Sequence, residues 1–165
     1  MASLWIDNDG CPVTVRELCL KGAQRRSIPT TIVGNSRASV IESEILRVIV
    51  VGSAFNAADD YIAMHCGSGD LVITSDVPLA ARVVERGARA INARGDVFDS
   101  QTIGDRLAIR NLAQELRSGG EIIGGGGNQT AGQSQVDKKK FADALDRLLT
   151  QLHKLRSTMS APPTA

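Results

Sequence analysis

Gly69-Asp70-Leu71-Val72-Ile73-Thr74-Ser75-Asp76-Val77-Pro78-Leu79-Ala80 sets a strand and a helix back to back. Four consecutive apolar or β-branched residues, Leu71 to Thr74, suit a strand buried on both faces, the pattern of parallel sheets. Pro78 belongs to a first helical turn, where its missing N–H is no loss, and Leu79 and Val83 continue the helical period with Arg86. Asp76 therefore lies where a strand ends and a helix begins. Gly67-Ser68-Gly69 closes whatever precedes.

Outward from this stretch the same alternation repeats. Leu4-Trp5-Ile6 is a short apolar strand that ends in Asp7-Asn8-Asp9-Gly10, after which Pro12 opens a helix with Val15, Leu18, Cys19 and Gly22 on one face. Thr30 to Val33 is the next strand. Arg47 to Val51 reads as another, nearly continuous in apolar character and so expected to be covered on both sides. A helix over residues 56–65 places Ala58, Tyr61, Ile62 and His65 or Cys66 together, and Ala88 to Ile91 is a further strand. A long helix is expected over Ser100 to Arg117, with Ile109, Leu112, Ala113 and Leu116 at its period. A last amphipathic helix carries Phe141, Leu145, Leu148, Leu149 and Leu152.

Strands that alternate with helices predict an α/β fold: a single doubly wound domain with a central, mostly parallel sheet flanked by helices. Its expected span is residues 1–156, with a mobile Gly-rich loop at 119–135 that includes Gly124 to Gly127, and a disordered tail at 157–165. The chain has 165 residues, within the range of one domain. Apolar residues at 42% and charged residues at 22% are ordinary globular usage.

Composition excludes several classes of protein. The longest apolar runs fall far short of the ~20 residues of a membrane span, and the N-terminus lacks a signal-peptide pattern, so a cytoplasmic location is expected. Cys11, Cys19 and Cys66 are odd in number and lack zinc-ligand spacing, which argues for reduced thiols. A net charge of +1 gives no global attraction for nucleic acid. The cations are nonetheless biased: between Lys21 and Lys138 all are Arg, the residue suited to bidentate phosphate contacts and equally to surface ion pairs.

Asp residues carry the candidate chemistry. Ligands in doubly wound sheets bind beyond the carboxyl ends of strands, where strand order reverses. Asp7 and Asp9 end the first strand, Asp76 follows the Leu71 strand, and Asp59 lies on the first turn after the Val51 strand; Asp96 is a weaker fifth. Carboxylates gathered in this way repel one another, and a divalent cation relieves the repulsion. Oxygen-only ligands favour Mg²⁺ or Mn²⁺, ions that serve phosphodiester hydrolysis. The bland alternative for any one Asp is a turn former or helix cap, which accounts for Asp70, Asp99 and Asp105.

Asp7-Asn8-Asp9-Gly10-Cys11-Pro12, Ala58-Asp59, the whole Gly69 to Ala80 stretch and Arg94-Gly95 resemble the YaiI/YqxD family of bacterial proteins of uncharacterised function, over roughly residues 4–153. That family is similar to PIN-like nuclease domains, whose acidic side chains gather around Mg²⁺ or Mn²⁺ to cleave RNA or DNA. The resemblance implies a PIN-like fold and makes Asp7, Asp9, Asp59 and Asp76 the metal-site acids. The departures lie in the D-A-D-A-C-P pattern, where this chain has Asn8 and Gly10, and in G-F-D-x-A-D, where it has Ala54 and Asn56. An acid in the long helix becomes Asn111, and a Gly-Gly-Pro turn becomes Gly124 to Gly127. Neutral amides at 56 and 111 would lower metal affinity.

Arg94, Arg37 and Arg110 are the cations expected near a phosphate backbone, with RNA or single-stranded nucleic acid as the partner class. Five aromatic residues leave no platform for stacking bases. Cys11 is read as packing or, at a helix N-terminus, as a nucleophile without a nearby His, since His65 and His153 look like helix-surface residues. Two rival functions stand beside the nuclease: a nucleic-acid or protein-binding module with an impaired site, and a haloacid-dehalogenase-type phosphatase built on the D-x-D of Asp7 and Asp9. The second needs a downstream lysine, and none occurs between Gly22 and Asp137. Oligomeric state is not legible.

Overall fold

The structure, a computed structural model, describes residues 1–119 and 134–160. Six strands, β1 (Leu4–Asp7), β2 (Thr30–Gly34), β3 (Leu46–Val50), β4 (Leu71–Ile73), β5 (Arg89–Ile91) and β6 (Val97–Phe98), form one sheet in the order β3-β2-β1-β4-β5-β6. All neighbours pair in parallel except β5 with β6. Helices α1 (Val13–Arg25), α2 (Ala57–His65), α3 (Val77–Glu85), α4 (Ile103–Ser118) and α5 (Gln135–Ser160) flank it. This is a doubly wound α/β arrangement, and strand order reverses between β1 and β4.

Side chains alternate across each strand, so every central strand feeds two cores. On one face Leu4, Ile6, Ile32, Leu71, Ile73 and Ile91 meet Val15 and Cys19 of α1 and Phe141, Leu145, Leu148 and Leu152 of α5. Trp5, Val33, Val72 and Ala90 on the other meet Ala58 and Ile62 of α2 and Leu79, Ala80 and Val83 of α3. Both faces of the sheet are thereby covered at its central strands. Gly22 lets α5 come close to α1, because a Cβ there would lie 2.6 Å from Leu149 Cδ1.

Several sequence expectations change. β3 is not covered on both faces: it is the edge strand, and Val50 is 49% exposed. A continuous apolar run reports strand character, not strand position, and position depends on partners remote in sequence. On α1 the buried residues are Val15, Arg16, Cys19 and Ala23, while Leu18 faces outward over a groove beside α5. Helix α4 forms near the expected limits but buries none of its residues, and Ile109 and Leu112 are exposed. The tail expected from residue 157 is helical through Ser160, as α5 continues. The Gly-rich loop falls largely on residues 120–133, and with 161–165 it lies outside the described residues. β6, two residues long, was too short to leave a sequence signal.

Asp70 closes the end of the sheet opposite the ligand edge. Its carboxylate accepts from Ser3 N at 2.7 Å, Gly67 N at 2.8 Å, Trp5 Nε1 at 2.9 Å and Ser3 Oγ at 3.2 Å. Four donors from three residues satisfy the buried charge and fix the register of β1 against β4. Replacing Asp70 with Ala strands the Trp5 indole N–H and the backbone donors. The expected loss is about 3 kcal/mol, seen as a fall of roughly 10 °C in Tm, because a buried network loses its acceptor.

Candidate metal and phosphate site

The register Ile6↔Ile73 between β1 and β4 brings the next pair, Asp7 and Thr74, side by side on one face of the sheet. Thr74 Oγ1 donates to Asp7 Oδ2 at 2.9 Å and also accepts from Asp76 N at 3.1 Å. One hydroxyl thus ties the two strand ends together. Asp7 is only 4% exposed, and burial pushes its carboxyl above the ordinary carboxylate range. Thr74 and nearby backbone N–H groups pull it back, while the charge of Asp9 pushes the same way as burial.

Around this point a cleft of about 320 Å³ is bordered by Asp7, Asp9, Asp59 and Asp76, with Asn35, Asn56 and Ser75 among its polar neighbours. The four acids come from three separate stretches of chain: the end of β1, the first turn of α2 and the end of β4. No Lys or Arg borders the cleft among the described residues. Burial, then repulsion from Asp76 and Asp7, raises the Asp59 carboxyl to about 6, and Arg82 only partly offsets this. The acids are therefore close enough to feel one another's charge.

Each acid also has local work. Asp76 caps α3, accepting from Leu79 N at 2.8 Å through Oδ1, so its second oxygen remains for the cleft. Asp9 receives the backbone N–H of Asn35 on both oxygens, at 3.0 and 3.1 Å. That bond needs Gly34 beside it, since a Cβ there would come within 2.9 Å of Asp9 Oδ1. Asn8 is held by Arg16 Nη1 at 2.5 Å. Asn56, in the left-handed region at φ 60°, begins α2 and turns the chain into the cleft wall.

The donor set suits a hard divalent cation, being carboxylate and amide oxygen throughout. As placed, however, no group of three or more His, Cys, Asp or Glu side chains among the described residues is arranged to hold a metal ion. The hydrogen bonds of Asp9 and Asp76 account for part of this, because they point oxygens at backbone N–H groups. The fit is one of chemistry and charge, with side-chain rotation required.

The three candidate phosphate ligands do not border the cleft. Arg37 is ion-paired with Glu42. Arg94 is exposed on the turn after β5, and Arg110 lies on exposed α4 against Gln114 at 3.4 Å. Asn111 is exposed on the same helix. Asp96 is spent elsewhere: burial is outweighed by Lys140 at 2.6 Å, Asn92 and Arg106, which together hold its carboxyl low. Lys140, paired with Asp96, does not border the cleft. Burial and the Asp7 charge push the Cys11 thiol up to about 12, which removes the thiolate that a nucleophile needs. Cys19 and Cys66 are buried, as expected, and His65 and His153 bond to backbone carbonyls at helix surfaces.

Sequence reasoning missed Thr74 and the Asn8 to Arg16 bond. The first follows from strand register once β1 and β4 are neighbours; the second had no signal.

The sequence pattern of the YaiI/YqxD family, described as an uncharacterized BCR, matches residues 5–151. The chain belongs to the YaiI/YqxD family. A UPF0178 protein of Geobacter metallireducens is 43% identical over 90% of this chain and 94% of its own length. Similar UPF0178 proteins occur in Bordetella petrii, at 43% identity over 88% of this chain and 95% of the relative, and in Psychromonas ingrahamii, at 43% over 92% and 98%. No solved structure gives a significant match. No helix among the described residues is long and apolar enough to cross a membrane.

Asp59 yields a pH prediction. Its folded-state pKa is raised to about 6 from 3.8, so ionising it costs stability as pH rises between those values, and the cost is complete above them. Asp59→Asn should stabilise the metal-free protein at pH 7.5 by on the order of 1 kcal/mol, allowing for solvent screening, and by little at pH 4. Denaturant titrations of both proteins at the two pH values measure the difference.

Proposed function

We propose that this YaiI/YqxD protein is a divalent-metal-dependent phosphodiesterase of PIN-like character that acts on RNA or single-stranded nucleic acid. The observation that carries the reading is the convergence of Asp7, Asp9, Asp59 and Asp76 on one cleft at the strand-order reversal, with no cation bordering it among the described residues. Such a cleft is electrostatically incomplete, and the raised carboxyls of Asp7 and Asp59 express that deficit.

Asp7, Asp9, Asp59 and Asp76 would hold Mg²⁺ or Mn²⁺ between them. The ion would supply neutralisation of charge on the attacked phosphate and a more acidic water. Thr74 keeps Asp7 oriented, and Asn35 does the same for Asp9. Asp59, whose carboxyl is raised to about 6, is a group suited to receive a proton from water. Asn35, Asn56 and Ser75 offer neutral donors and acceptors to a substrate. Arg94 and Arg110, which make no ion pair among the described residues, would meet only the chain beyond the cleaved position.

A second reading is a nucleic-acid or protein-binding module that keeps the fold with a weakened site. Asn56 favours it, for a neutral amide borders the cleft where the family resemblance leads one to expect an acid.

Wild type with Mn²⁺ should cleave labelled single-stranded RNA or DNA, and Asp76→Asn and Asp7→Asn should each reduce the rate by about a hundredfold or more. Mn²⁺ should also raise the Tm of wild type but not of Asp7→Asn. Equal cleavage by wild type and Asp76→Asn would sink the hydrolase reading; a metal-dependent Tm without cleavage would favour the binding module.

A further inference from the structure

The open edge of the sheet is occupied by a side chain. In β3, Val51 N donates to Gly34 O at 3.0 Å and Thr30 N to Ile45 O at 2.7 Å, so odd-numbered residues face β2 and Leu46, Val48 and Val50 turn their backbone groups outward. Leu46 is satisfied by Ser43, through bonds of 3.2 and 3.0 Å. Val48 N–H donates to Glu42 Oε1 at 2.9 Å, and the other oxygen of that carboxylate is gripped by Arg37 Nη2. Val48 N–H, ahead of Arg37, holds the Glu42 carboxyl below the usual range.

Without this arrangement β3 is a strong template for pairing. Leu46-Arg47-Val48-Ile49-Val50-Val51 is rich in β-branched residues, has one charge and lacks Pro, the composition that invites strand addition. Val50 is 49% exposed, and Ile41, close by in sequence to Glu42, is 92% exposed. The opposite edge, β6, has only two residues and offers little to pair with. A carboxylate on the outward N–H both removes a donor and places negative charge where an incoming carbonyl would bond.

We propose that the Arg37 and Glu42 pair is a guard on the sheet edge, whose removal turns β3 into a surface that pairs antiparallel with β3 of a second copy of this chain. The pairing is two-fold symmetric, because identical strands meet through the same outward residues. The guard lies outside the acidic cleft and is independent of the activity proposed for it.

Light scattering of the full chain over about a hundredfold range of concentration tests this. Glu42→Ala should show a rise towards about twofold in weight-average mass where wild type shows none. Arg37→Ala, which leaves β3 and the carboxylate in place but unanchored, should show a smaller rise. Glu42→Ala combined with Val50→Lys, which restores charge to the edge without restoring the guard, should return to the wild-type mass. The proposal is overturned if both single variants keep the wild-type mass throughout, if the Lys variant associates as fully as Glu42→Ala, or if wild type itself pairs through β3.

Discussion

The parallel pairing of β1 with β4 is the constraint on which the rest of the structure depends. These strands are separated by more than sixty positions of chain, yet they are neighbours at the centre of the sheet, and everything of chemical interest lies where they end. At one end Asp70 gathers Ser3, Trp5 and Gly67. At the other Thr74 joins Asp7 to the turn that carries Asp76. A slip of one residue would point Asp7 into the α1 and α5 core and Ile6 into the cleft. The Asp70 network is therefore a condition for the acidic site even though it lies at the far side of the domain.

Asp70 and Asp7 also show how burial alone fails to identify function. Both are nearly inaccessible carboxylates at the ends of adjacent strands. Asp70 is surrounded by donors that neutralise its need for a partner, as expected of a structural charge. Asp7 has Thr74 and nearby backbone N–H groups but faces Asp9, and its proton affinity is raised. A structural acid is satisfied by the fold, whereas the raised carboxyls of Asp7 and Asp59 show that burial and mutual repulsion outweigh the donors the fold gives them. Stability lost there is offset by the two continuous cores beneath.

Much of this was legible in the sequence because parallel strands are written as apolar runs and their ends as Asp, Gly and Pro. Leu71 to Asp76 and Leu4 to Asp9 disclosed both strand ends, and the rule on strand-order reversal then placed their acids together. What stayed hidden depended on long-range order. Arg47 to Val51 read as a central strand, since nothing local tells an edge from a centre. Arg37 was read as a phosphate contact, and its pairing with Glu42 rests on a loop whose path back to β3 has no periodic signature. Arg16 carried no local signal at all, yet it is buried on α1 against the loop after β1, with Nη1 on Asn8 and Nε without a partner among the described residues.

Arginine thus takes different parts in this chain according to what surrounds it. Arg16 is buried against the acidic loop, Arg37 anchors an edge carboxylate, Arg26 bridges α1 to Asp146 of α5 at 2.5 Å, and Arg82 reaches Asp60 on α2 at 2.8 Å. None of these borders the cleft. The compositional preference for Arg over Lys therefore follows in good part from the geometry of a forked donor that can hold two elements at once. That use of the cations leaves no Lys or Arg bordering the cleft among the described residues, so the charge of its four acids is offset only from a distance, as by Arg82 at Asp59.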